Sequence, residues 1–115
     1  MGVSVVFDEV VSRMAQNVLT GIRDSRLEPI LEDSSGRTEG YLVESTLERI
    51  VVVAREHDVL SLADISAVRR NMIRAQARRA LLYIPITTTI PNPVMLLATL
   101  SRIEIVRLAA TDSVL

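Results

Sequence analysis

Apolar residues recur at spacings of three and four along the start of the chain, at Val3, Val6, Val10, Met14, Val18 and Ile22. That period predicts a helix with one buried face over Val3 to Ile22, with Asp8, Glu9, Arg13, Gln16 and Thr20 on its other sides. Gly21 and the polar run Arg23-Asp24-Ser25 end it. The pattern then shortens. Leu27 to Glu32 predicts a strand that Pro29 confines to a sheet edge, Asp33-Ser34-Ser35-Gly36 a hairpin-like turn, and Thr38 to Glu44 a second strand. Ile50-Val51-Val52-Val53-Ala54 is β-branched without alternation, so both of its faces are expected to be buried, as in a central strand.

Ser61-Leu62-Ala63-Asp64 has the spacing of a capping box, with Leu60 and Ile65 placed as a hydrophobic staple. The helix it opens is expected to run to about Ala80, burying Ile65, Val68, Met72 and Ala75. Leu81 to Ile86 predicts a second doubly buried strand. Asn92 followed by Pro93 predicts an N-cap and a first helical residue for a short helix reaching about Leu100. Ile103 to Arg107 reads as an edge strand, and Ala110 to Leu115 as a loose tail. The fold class is therefore α/β, one domain over residues 1–115, with a mixed central sheet and the order α-β-β-β-α-β-α-β. Its last part is two strand–helix–strand units, which require parallel strands and right-handed crossovers.

Composition narrows the chemistry. With 115 residues, 49% apolar and 23% charged, the chain is globular in character, and a net charge of -1 excludes polyanion binding by bulk charge. There is no Cys and a single His57, which removes thiolate metal sites, cysteine nucleophiles and sites needing two imidazoles. All 13 basic residues are Arg, so no lysine is present to form a Schiff base or serve a phosphate loop. Few Asn and Gln, with no Cys, would also suit a heat-exposed, thermophile protein. The uncharged run Ala80 to Ser101 is broken by Pro85, Pro91 and Pro93 and is not expected to span a membrane. No basic segment precedes Asp8 and Glu9 as in a secretory signal, so a cytoplasmic location is expected.

The order of elements, from the helix near Val3 to the strand ending near Arg107, resembles the restriction-endonuclease-like, or PD-(D/E)XK, fold. In that family an acid on the second strand and an acid-x-lysine triplet late in the third gather a divalent metal, Mg or Mn. The resemblance therefore points to Glu39 or Glu44 on the second strand and to Glu56 on the third. The third strand continues as Val53-Ala54-Arg55-Glu56-His57-Asp58, which holds no such triplet in either register. In one register Arg55 stands where an acid should be, and in the other Asp58 stands where the lysine should be.

His57-Asp58 lacks the further histidines of a metal phosphohydrolase, and no Gly-x-Ser-x-Gly elbow supports a nucleophilic serine. Arg70, Arg74 and Arg78 are four residues apart and are expected on one outward stripe of the long helix, able to track phosphates or to pair with carboxylates of a neighbour. The leading expectation is a non-catalytic domain of nuclease-like fold acting in macromolecular association as a homo-oligomer, with no cofactor. The alternatives are an atypical metal nuclease using Glu44 and Glu56, and non-cleaving nucleic-acid binding through Arg70, Arg74 and Arg78.

Overall fold

The computed structural model describes residues 26–31, 38–45 and 48–108, and the helix expected at Val3 to Ile22, the turn at Asp33 to Gly36 and the tail from Ala110 lie outside them. Strands β1 (Arg26–Leu31), β2 (Thr38–Glu44) and β3 (Arg49–Ala54) form an antiparallel meander. Helix α1 (Leu62–Ala75) crosses to β4 (Arg79–Pro85), and helix α2 (Asn92–Leu100) crosses to β5 (Ile103–Leu108). The sheet order is β1-β2-β3-β4-β5, with β3, β4 and β5 mutually parallel. Two crossovers of the same hand that step the same way along a sheet put their helices on one face. Accordingly Ile65, Val68 and Met72 of α1 and Val94 and Ala98 of α2 share a core with Val51, Val53, Leu82 and Ile84.

The doubly buried character of the two central strands follows from this arrangement. Val51 and Val53 face the helices, while Ile50 and Val52 join Val43, Tyr83 and Leu108 in a separate cluster on the opposite face. All four β3 residues from Ile50 to Val53 are fully buried, which is why β3 reads as an unbroken apolar run. Pro29 lies on β1, an edge strand, and β5 is the other edge.

The start of α1 is as its sequence predicts. The Ser61 hydroxyl accepts from the Asp64 backbone N–H at 3.2 Å, and the Asp64 carboxylate accepts from the Ser61 backbone N–H at 2.9 Å. The staple residues Leu60 and Ile65 are both fully buried.

Its end is not. The helix stops at Ala75, five residues short of the Ala80 expected, because Gln76 takes a left-handed conformation at φ 56°. Arg49, arriving from β3, donates to the Ala75 carbonyl and to Gln76 Oε1, both at 3.1 Å, so the helix end is closed by a residue distant in sequence. Pro91, not Asn92, is the N-cap of α2, and no side chain caps that helix. The uncharged run from Ala80 to Ser101 thus resolves into most of β4, a loop and α2. Among the described residues no helix is long and apolar enough to cross a membrane.

Candidate functional site

Beyond Ala54 the chain leaves the sheet but stays tied to the strand beside it. The Arg55 N–H donates to the Tyr83 carbonyl, the Thr89 N–H to the Asp58 carbonyl, and the Leu60 N–H to the Thr89 carbonyl, at 2.9–3.0 Å. Buried Thr88 donates its hydroxyl to the His57 carbonyl at 2.7 Å, and Arg107 from β5 donates to the Thr88 carbonyl at 2.6 Å. The segments after β3 and β4 are therefore fastened to each other and to the end of β5, at the carboxyl ends of parallel strands. In open α/β sheets this is where functional groups collect.

The centre of this cluster is Asp64, whose side chain is only 8% exposed. Its Oδ2 accepts from the Ser61 N–H and, at 3.1 Å each, from the Ser61 hydroxyl and His57 Nδ1. Its Oδ1 faces Arg55 Nε at 3.9 Å. Burial alone would push this carboxyl up, but the Ser61 backbone N–H, the His57 ring and the Ser61 hydroxyl together outweigh it and hold the group below the usual carboxylate range. Asp64 is thus an anion at neutral pH. With Nδ1 donating to Asp64, the other nitrogen of the half-exposed His57 ring is the basic one.

The structure does not bring Glu44 and Glu56 together. Glu44 pairs with Arg49 at the beginning of β3, whereas Glu56 lies two residues past its end at Ala54. Seven residues of extended chain separate the two positions by roughly 20 Å. Glu44 is instead clasped by Arg26 Nε at 2.7 Å and Arg49 Nη2 at 2.6 Å, and the Arg26 hydrogen bond, with both positive charges, holds its carboxyl below the usual range. Glu39 precedes Gly40, which pairs with Val53, so its backbone is at the correct end of the sheet, but its side chain lies outside the described part. Among the described residues no group of three or more His, Asp or Glu could hold a metal ion.

The expected arginine stripe is also shorter than its spacing implied. Arg70 and Arg74 are exposed on α1, but Arg78 lies past the left-handed Gln76 in the turn before β4 and off the helix. Arg69 and Arg70 have no carboxylate partner among the described residues, unlike Arg26, Arg49 and Arg79, which are paired with Glu44 or Glu48.

The His57–Asp64 contact was not visible in the sequence. Asp64 announces itself as the last residue of the capping box, and that role accounts for its residue type in full. Only the path of residues 55–60, pinned to Thr88 and Thr89, turns the His57 ring back onto the same oxygen.

No protein-family model matches the chain, and no curated protein matches it. Among solved structures it is similar to SfsA of Pyrococcus furiosus in complex with Ca2+, at 15% identity and a TM-score of 0.51, over 90% of this chain and 54% of that one. It is also similar to the MspJI restriction endonuclease in complex with a 27-mer oligonucleotide, at 17% identity and a TM-score of 0.46, over 94% of this chain and 26% of that one. The chain spans about half the length of SfsA.

Proposed function

For a chain with a restriction-endonuclease-like fold, we propose a non-catalytic role in macromolecular association, exercised by a cytoplasmic homo-oligomer. The observation that carries the first half is the state of Asp64. It is a buried carboxylate at the β3 end of the sheet, and its Oδ2 already accepts from two groups of Ser61 and from His57. A divalent cation there would have to displace the helix cap and approach two side chains that carry or can acquire positive charge, Arg55 and His57. The residues present do not fit the metal that the fold family uses.

The second half rests on α2. Its sequence, NPVMLLATL, contains no charged residue. Val94 and Ala98 are buried inward, yet Met95, Leu96 and Leu100 stand exposed on the outside, Leu96 at 61% and Leu100 at 72%. A helix that is apolar on all sides is ordinarily covered on all sides. An uncharged surface meets its own copy across a two-fold axis without like charges opposing, so a second copy of the chain is the cover we assign.

A second reading is favoured by Arg69 and Arg70, exposed on α1 and without carboxylate partners among the described residues. Such cations can bind the phosphates of a duplex.

Sedimentation of the full chain with and without duplex DNA separates the two readings. The dimer reading predicts a dimer that Leu96→Glu with Leu100→Glu converts to a folded monomer, with little response to salt. The duplex reading predicts binding that Arg69→Gln with Arg70→Gln weakens and that falls steeply with salt. A wild-type monomer at all concentrations, with no binding to duplex, contradicts both.

A further inference from the structure

The opposite end of the sheet, where β4 and β5 begin, carries a depression that neither association reading uses. Glu48, Arg78, Arg79, Thr99, Arg102 and Glu104 line it, together with the buried Ala80 and Ile103. Arg79 is spent on Glu48, donating from Nε and Nη2 to the two carboxylate oxygens at 3.2 Å each. Among the described residues the exposed side chains of Arg78 and Arg102 have no such partner.

Arg102 is also held in an unusual way. It follows the C-cap Ser101 of α2 at φ 61°, a left-handed position that ordinarily goes to Gly. Its carbonyl is fixed to β4 by the Ala80 N–H at 3.1 Å, and its own N–H donates to the Thr99 carbonyl at 3.2 Å. Gln76 is the other described non-Gly residue of this kind, and its side chain has a visible task in receiving Arg49. For Arg102 the described contacts are all made by the backbone, which Gly would make as well. A strained backbone that keeps a long cationic side chain at a depression is a reason to look for what the cation binds.

We propose that Arg78 and Arg102 together form a site for the phosphate group of a small organic molecule. Two guanidinium groups offer several N–H donors to the oxygens of a phosphate monoester, and their charge does not depend on pH. The Glu104 carboxylate lining the same depression repels a long polyanion and favours a compact ligand.

The probes are phenyl phosphate, inorganic phosphate and a duplex oligonucleotide, each titrated into the full chain at matched ionic strength and followed by amide and methyl NMR shifts. Phenyl phosphate should saturate shifts at Ala80 and Ile103, which line the depression, and inorganic phosphate should compete at the same residues. Arg78→Gln and Arg102→Gly should each weaken phenyl phosphate about tenfold or more. Arg102→Gly should do so with an unchanged or raised melting temperature, because Gly adopts the left-handed conformation freely. A merely structural Arg102 would show no such loss of binding. The proposal is overturned if phenyl phosphate acts no differently from chloride, if both variants bind as the wild type does, or if only the duplex binds. These readouts are independent of whether the chain dimerises.

Discussion

Gly40→Val should cost the fold about 3 kcal/mol and lower the melting temperature by roughly 10 °C or more. Gly40 sits in β2 opposite Val53, on the ladder that joins β2 to the central strand β3. A Cβ built there would lie 2.7 Å from the Val52 carbonyl oxygen and 3.0 Å from Val53 Cγ2. The first of these atoms is backbone in a fully buried strand, so relief requires moving β3 away from β2. Removing a glycine also narrows the unfolded ensemble, which is worth under about 1 kcal/mol and opposes the clash without balancing it. Gly40→Ala should show the same sign at reduced size. Urea denaturation of the three proteins checks this, and an alanine variant as stable as the wild type would mean that β2 and β3 are further apart than described.

The next largest effect is expected at Asp64. Asp64→Ala removes the acceptor of the Ser61 N–H, the Ser61 hydroxyl and His57 Nδ1 together, and should destabilise the protein by about 2 kcal/mol. Ser61→Ala, which spares the His57 contact, should cost about 1 kcal/mol. The pH dependence has a definite sign. The folded carboxyl is held below its ordinary value, so its contribution is complete above about pH 4 and is lost as the pH falls through the lower, folded value. The stability difference between wild type and Asp64→Ala should therefore shrink on acidification below about pH 4. A difference that grew there would show the carboxyl to be raised by its burial instead.

Much of the architecture was legible because burial leaves direct traces in sequence. Ile50 to Val53 and Leu81 to Ile84 lack alternation because both faces of a central parallel strand are covered, and those two stretches are neighbours in parallel register. The start of α1 was legible because a capping box is local. Its end was not, since Ala75-Gln76-Ala77 holds no stop signal and Arg49 supplies the closure from 26 residues away. The misplaced Arg78 follows from that single error. Gly40 was a signal passed over: a glycine inside a strand marks a close backbone approach, and here that approach is to β3.

The candidate site was legible in its departures more than in its contents. The run Arg55-Glu56-His57-Asp58 lacks the acid-x-lysine triplet, and in the folded chain Arg55 and His57 both turn to Asp64. The Glu44–Glu56 pairing did not survive because an antiparallel meander puts the end of one strand beside the start of the next. Which end of β2 met the end of β3 was implicit in the meander itself, and favoured Glu39 over Glu44. In the folded chain Asp64, a buried carboxylate at the β3 end, serves a helix cap and a histidine.

Incubation of the full chain with supercoiled plasmid, linear duplex and single-stranded RNA in Mg2+ or Mn2+ tests that claim most directly. The account predicts that every substrate remains intact. Cleavage by the wild type that Glu56→Gln or Asp64→Asn abolishes would contradict it, and would place a working metal centre where the helix cap now stands.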